Sequence, residues 1–337
     1  MNTREIDVTK TCLVVGGAGY IGSHTCKSLA AAGYTPVVVD NLVNGHADAV
    51  KWGPLEICDI LDAAGLDAVF QKHRPGLVLH FAAFAEVGQS VRDPAVYYRN
   101  NVLGSLSLLD AMRRHDVRNL VFSSTCATYG VPQVLPMDET TPQAPINPYG
   151  FTKLVIEHAM ADYGRAYGLR WTALRYFNAA GCDPEGELGE RHEPETHALP
   201  LAIQAALGSG REFSVFGLDY PTPDGSALRD YIHVCDLADA HVRAAAYLAA
   251  GGESTAFNLG TGQPTSVLEL LAGVEAATGR PVPHSVGPRR PGDPPALYAD
   301  ARKARTVLGW QPRFTTIAEI AATAAAWFER EFQTVSR

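Results

Sequence analysis

The sequence has no long apolar run, no basic tract and no familiar metal-ligand spacing, and each absence narrows what the chain can be. No hydrophobic stretch approaches the about 20 residues of a membrane-spanning helix. The 337 residues carry a formal net charge of −8 without a run of Lys or Arg, which argues against nucleic acid or a membrane surface as partner. Six cysteines (Cys12, Cys26, Cys58, Cys126, Cys182, Cys235) form no CxxC pair, so reduced, buried thiols in a cytoplasmic protein are expected. Eleven histidines show neither HxxxH nor HExxH spacing, and no metal is expected. Residues 1–10, MNTREIDVTK, lack a signal-peptide core and read as a frayed leader. There is no internal repeat. With 46% hydrophobic and 19% charged residues, the chain can bury one large core or two modest ones.

What is present begins with GGAGYIG, Gly16 to Gly22. It follows an apolar run, residues 12–15, that reads as a buried parallel strand, and precedes a helix expected over residues 23–32. A second strand, residues 36–39, ends in Asp40. This is the context of a dinucleotide site. Gly16 and Gly19 let the backbone turn and approach a pyrophosphate, Gly22 lets the helix pack closely, and the helix N-terminus supplies free N–H groups. Asp40, 21 residues after Gly19, is placed to accept from both adenosine ribose hydroxyls and to repel a 2′-phosphate, which favours NAD over NADP.

The second feature is NPYGFTK, where Tyr149 and Lys153 share one helix face a turn apart. An ammonium near a phenol, or a cofactor cation, lowers a pKa of about 10 and makes a base for a sugar hydroxyl. On the residues alone, a pair beside Pro148 at a helix start reads equally as exposed surface.

Strand and helix patterns alternate through the first half. Residues 76–81, 119–124 and 170–176 read as strands, and 94–115 and 149–167 as long helices. This order implies an α/β fold with a doubly wound parallel sheet, whose ligands collect at the strand ends Gly16, Asp40, Phe81, Ser124 and Tyr176. Residues 11–180 form the expected NAD-binding domain. The Gly-, Pro- and acid-rich stretch 181–196 crosses to a smaller mixed α/β lobe, 181–233 and 261–333, while 234–260 is expected to rejoin the large sheet.

The loop, Asp40 and the Tyr/Lys pair together resemble the extended short-chain dehydrogenase/reductases (Rossmann-type) and, within them, the UDP-glucose 4-epimerase family. The resemblance runs from Thr11 to about Trp327 and rests on GGAGYIGSH, VDNL, HFAAFAEVGQSV, SSTCATYG, NPYGFTK, LRYFNAAG, RDYIHVCDLADAH, NLGTG and RRPGD. It implies inversion at C4 of a UDP-sugar through a 4-keto sugar, with tightly held NAD: Tyr149 takes the hydroxyl proton, Thr125 relays it, and Lys153 holds the nicotinamide ribose. It further implies that Tyr20 and Ile21 in the loop, Asn41, Asp59, Ile60, Phe81, Ala82, Ala83, Asn100, Ser123, Tyr176 and Phe177 line the cofactor. Asn178, His197, Ala198, Phe216, Arg229, Arg290 and Asp293 are the implied substrate contacts, the arginines meeting the diphosphate with their planar forks. Two residues keep a second reading: Thr125 as a strand-end cap and Phe216 as core packing.

Departures bear on the sugar and the cofactor. Ala85 and Glu86 stand where many relatives have a Lys near the cofactor phosphates, and Leu297 occupies a position linked to sugar size. UDP-glucose/UDP-galactose is the expected pair, with UDP-pentoses and UDP-N-acetylhexosamines as alternatives. A 4,6-dehydratase is disfavoured because Cys126 and Ala127 replace its Asp–Glu pair. A non-catalytic NAD sensor is disfavoured because Tyr149 and Lys153 are both kept. The helices over 94–115 and 149–167 resemble those that pair in family homodimers.

Overall fold

The computed structural model describes residues 10–210, 212–290 and 293–335; of the expected leader, residues 1–9 lie outside these. Apolar, β-branched runs build a parallel sheet from β1 (Thr11–Val15), β2 (Thr35–Asp40), β3 (Leu55–Ile57) and β4 (Leu77–His80), with α1 (Tyr20–Ala31) and α2 (Ala63–His73) between them. Next come α3 (Val87–Arg92), α4 (Pro94–Tyr97), α5 (Gly104–Arg114), β5 (Asn119–Thr125), α6 (Pro148–Tyr167), β6 (Arg170–Tyr176) and β7 (Asn178–Ala180). They are followed by α7 (Ala198–Ala206), β8 (Phe213–Phe216), β9 (Leu228–Arg229), β10 (Tyr231–His233), α8 (Val234–Ala249) and β11 (Thr255–Leu259). The chain closes with β12 (Thr265–Ser266), α9 (Val267–Thr278), β13 (His284–Gly287), β14 (Ala296–Leu297), α10 (Arg302–Leu308) and α11 (Ile317–Val335).

Seven strands form one sheet in the order β11-β6-β5-β4-β1-β2-β3, every neighbour parallel. Successive side chains point to opposite faces. Cys12 and Val14 therefore pack with Cys26 and Leu29 of α1 and Leu237 and Ala244 of α8. Leu13 and Val15 pack with Phe70 of α2, Met112 of α5 and Ile156 of α6. Each such fully buried Val or Leu contributes about 1.5–3 kcal/mol. A third apolar cluster joins α7, α9 and α11, and small sheets of β8 with β13 and of β12, β9 and β14 complete that lobe.

Three departures from the sequence reading have local causes. The first helix begins at Tyr20, directly on Gly19, so the loop glycines themselves open it. α2 carries no strong sequence pattern: it starts Ala-Ala-Gly and is set by its cap, Asp62 accepting from the Gly65 N–H, and by three buried residues, Leu66, Val69 and Phe70. The helix expected over 94–115 is helical throughout but takes wide π turns at Tyr98–Leu103. All six cysteines are free. Among the described residues no helix is long and apolar enough to cross a membrane.

Candidate active site

β1 ends at Val15 and the chain turns at Gly16, whose φ of +82° favours glycine. A Cβ on Gly22 would stand 2.2 Å from the Gly16 carbonyl oxygen, so α1 approaches the loop this closely only with glycine there. Gly19 is different. Its φ is −82°, and a Cβ on it would find its nearest neighbour at 3.4 Å. Among the described residues nothing requires glycine at 19; its bare backbone at the head of α1 leaves space for a phosphate-bearing ligand.

Asp40, buried at the end of β2, accepts from the Ala18 N–H at 3.0 Å and the Leu42 N–H at 2.8 Å. An ionised carboxylate has about four acceptor positions, so capacity remains for two ribose hydroxyls. Asn41 donates to Asp59 at 2.9 Å, Asp59 also accepts from the Leu61 N–H at 2.8 Å, and Ile60 lies buried beside them. The Phe81 and Ala82 N–H groups both donate to Val15, which ties the end of β4 to the glycine turn, with Ala83 next in chain. These residues fit a dinucleotide: an acceptor for the ribose, an uncovered backbone for the pyrophosphate and an apolar floor. Ile21 packs into the core, which leaves only its backbone for a ligand, and the Tyr20 hydroxyl donates across the molecule to the Gly181 carbonyl at 2.5 Å. Asn100, in the π segment, donates to Asn101 at 3.0 Å.

Asn147 starts α6 by accepting from the Gly150 N–H at 2.8 Å, with Pro148 in the first turn, and Gly168 in the left-handed conformation ends it. This cap fixes Tyr149 in the first turn and Lys153 one turn on, facing β5. Thr125 caps the strand end, its hydroxyl accepting from the Ala127 N–H at 3.1 Å, and it lies close enough to Tyr149 to act on the phenol's pKa. Lys153 is 3% exposed and donates to the Ser123 carbonyl at 2.8 Å. Ser123 and Tyr176 share a hydrogen bond between their hydroxyls, and Phe177 is buried.

The electrostatics differ from the sequence reading. Burial pushes the Tyr149 phenol well up, Tyr176 adds to this, and the Thr125 hydroxyl opposes it; Lys153 is not among the main influences. Lys153 itself is lowered to about 7 by burial, against which Glu157 holds it up. The protein groups alone do not make Tyr149 acidic.

On the facing lobe, Arg229 ion-pairs with Asp293 and donates to the Pro294 carbonyl at 3.1 Å. It also lies close enough to Cys126 to oppose the burial that pushes that thiol up to about 12. The Arg290 guanidinium sits 3.9 Å over the Phe216 ring, so Phe216 is stacked under a cation rather than lost in the core. Pro291 and Gly292 of the RRPGD motif lie outside the described residues. Asn178 pairs with Tyr231 across β7 and β10, Leu297 pairs with Arg229 across β14 and β9, and His197 precedes Ala198 at the head of α7, bonded to Glu195 at 2.9 Å.

Sequence reasoning passed over the support behind Lys153. Glu157, one further turn along α6, forms a buried two-point ion pair with Arg175 at 3.0 and 2.6 Å and accepts from Ser124 at 2.5 Å. The signal was available as the spacing 149, 153, 157: three polar side chains on one face of a helix otherwise packed with Ile156 and Met160. Asn101 was passed over too; it bridges Phe84 and Thr152, holding the π segment against α6.

The model of the NAD dependent epimerase/dehydratase family matches residues 12–260. A curated UDP-glucose 4-epimerase of Rhizobium meliloti (strain 1021) is 59% identical over 321 residues, 95% of this chain and 98% of that protein. The crystal structure of UDP-glucose 4-epimerase from Brucella ovis in complex with NAD aligns with a TM-score of 0.93 at 56% identity, covering 94% of this chain and 98% of that one. The epimerase of Stenotrophomonas maltophila, solved with NAD and formylated UDP-arabinopyranose, aligns with a TM-score of 0.93 at 40% identity, over 96% and 99%.

Proposed function

The chain belongs to the NAD-dependent epimerase/dehydratase family, and we propose that it inverts C4 of a UDP-sugar, interconverting UDP-glucose and UDP-galactose. The observation that carries this reading is the meeting of Tyr149, Thr125 and Lys153 at the carboxyl edge of a sheet whose other strand ends, Gly16 and Asp40, suit a dinucleotide. NAD, when bound, supplies the acceptor and later the donor of the C4 hydride, together with a positive charge next to the phenol. The Tyr149 oxygen takes the C4 hydroxyl proton and returns it after the sugar has turned over. Thr125, beside Tyr149, gives that proton a path to the sugar oxygen. Lys153 is anchored on Ser123 and is kept protonated to higher pH by Glu157. Arg229, Arg290 and Asn178 hold the diphosphate, Asp293 the uridine ribose, and Phe216 with Arg290 the uracil. Leu297, beside Arg229, limits the sugar pocket.

Two copies pair through α4, the π segment and α6. Val96, Tyr98, Leu103 and Phe151 are exposed apolar residues on these elements, and Tyr98 meets Phe151 with ring centroids 6.3 Å apart. Six free thiols suit the reducing cytoplasm.

Incubation with UDP-galactose, UDP-N-acetylgalactosamine and UDP-arabinose in turn, with no NAD added, tests the substrate reading. The galactose/glucose pair should turn over fastest. A stoichiometric need for added NAD, or a dehydrated product, favours the dehydratase reading instead.

A further inference from the structure

We propose that Glu190, His192, Glu195 and His197 form a tetrahedral site for a divalent transition-metal ion, zinc matching best, in the loop that leads into α7. Each residue offers one ligand atom, and the four atoms lie within 4.8 Å of one another. His192 Nδ1 stands 3.4 Å from Glu190 Oε1 and 3.6 Å from Glu195 Oε2. His197 Nδ1 stands 3.0 Å from Glu190 Oε1 and 2.9 Å from Glu195 Oε1. Tetrahedral bonds of roughly 2.0–2.1 Å separate ligand atoms by roughly 3.3 Å, close to the spacing of Glu190 Oε1 from the two imidazoles, while Glu195 meets each imidazole with a different oxygen and would turn one of them to the ion.

A second observation points to an ion. Glu190 is 2% exposed, yet among the described residues its Oε1 makes no contact of hydrogen-bond geometry, only ion-pair approaches to the two imidazoles, and the buried Nδ1 of His192, which it faces, makes none either. Buried polar atoms are rarely left so. A hydrogen bond between them would have to satisfy a direction that this geometry misses, whereas a central cation satisfies both atoms at once. Two imidazoles and two carboxylates suit zinc, and its two charges balance the two carboxylates. The neighbouring acidic group is not equivalent: Asp183, Glu185 and Glu187 already share the Lys27 ammonium at 2.8, 2.6 and 2.7 Å. The spacing H-x4-H escapes the motifs sought in the sequence because Glu190 and Glu195 complete the set.

The position gives the ion a structural task. His197 is the last residue before α7, and the His192 ring meets the edge of Tyr20, at the head of α1, with centroids 6.1 Å apart. The ion would tie the crossing loop to the glycine turn on one side and to the second lobe on the other. Ligation at Nδ1 leaves the His197 proton on Nε2 and fixes its tautomer. This inference does not depend on the sugar or on the C4 chemistry.

The test uses the untagged full-length protein, stripped with a chelator and titrated with Zn²⁺, and in parallel with Co²⁺ as a spectroscopic probe. One Zn²⁺ should bind per chain, the melting temperature should rise by several degrees, and Co²⁺ should give the intense visible bands of a tetrahedral centre. Glu195→Gln and His192→Gln should each weaken Zn²⁺ by at least about tenfold. If the unsubstituted protein takes up no stoichiometric Zn²⁺, or melts at the same temperature with and without it, the cluster is a set of imidazolium–carboxylate ion pairs and the proposal fails. A weak, octahedral Co²⁺ spectrum would overturn it as well.

Discussion

Tyr149 and Lys153 stand one helical turn apart, but the protein does not spend the lysine's charge on the phenol. Burial raises Tyr149 and lowers Lys153 to about 7, so both neutral forms are favoured until a cation arrives beside them. Tyr149→Phe removes the phenol proposed to take the C4 hydroxyl proton. Turnover should fall by at least about 10²-fold while NAD remains bound, read by rate and by cofactor content after gel filtration. Lys153 carries a linked effect on stability. The unfolded chain keeps the lysine proton to about pH 10.4, whereas the folded, NAD-free protein releases it near 7. Between these values the unfolded state binds more protons, so stability rises with pH across that window, and the full burial penalty applies below it. Lys153→Met should therefore stabilise the NAD-free protein more at pH 6 than at pH 9 in thermal melts, and should abolish turnover at both. Glu157→Gln should be worse than it looks from the helix alone. It leaves Arg175 charged, buried and half-paired, a loss of about 3–5 kcal/mol. Adding Arg175→Met should recover most of that loss while the alkaline limb of activity stays shifted to lower pH, because Glu157 no longer supports the Lys153 proton.

At the scale of elements, the glycine turn separates packing from binding. Gly22→Ala drives a methyl to within 2.2 Å of the Gly16 oxygen, so α1 cannot seat and the protein should lose both stability and NAD. Gly19→Ala meets nothing closer than 3.4 Å, so its melting temperature without NAD should hold while NAD affinity, measured calorimetrically, drops. What could be read from the chain follows the same division. β1, β2, β4 and β5 were legible because strands covered on both faces carry continuous apolar runs, and α6 because Asn147-Pro148 and Gly168 mark its ends. α2 was not, since Ala and Gly open it and its cap is a single Asp. The two-residue strands β9, β12 and β14 have no period to detect; their pairing is dictated by distant partners. Tyr149, Lys153 and Asp40 were found by spacing and by resemblance, but Arg175 was not, because a lone arginine inside a buried strand shows its meaning only when Glu157 is seen opposite.

At the scale of the whole molecule, the seven-stranded sheet carries the residues suited to a dinucleotide at its strand ends, and the chain outside it supplies the Arg229–Asp293 pair and Arg290 over Phe216. In the proposed dimer, formed through the exposed apolar residues of α4, the π segment and α6, each copy keeps its own Tyr149, Thr125 and Lys153. Light scattering should give twice the chain mass, and Leu103→Glu with Phe151→Glu should give a monomer that still turns over. The central claim concerns one carbon. UDP-galactose carrying deuterium at C4, incubated in ordinary water without added NAD, should yield UDP-glucose that keeps the label at C4, as nuclear magnetic resonance reads directly. Label lost to water, or a product still in the galacto configuration, would contradict the account.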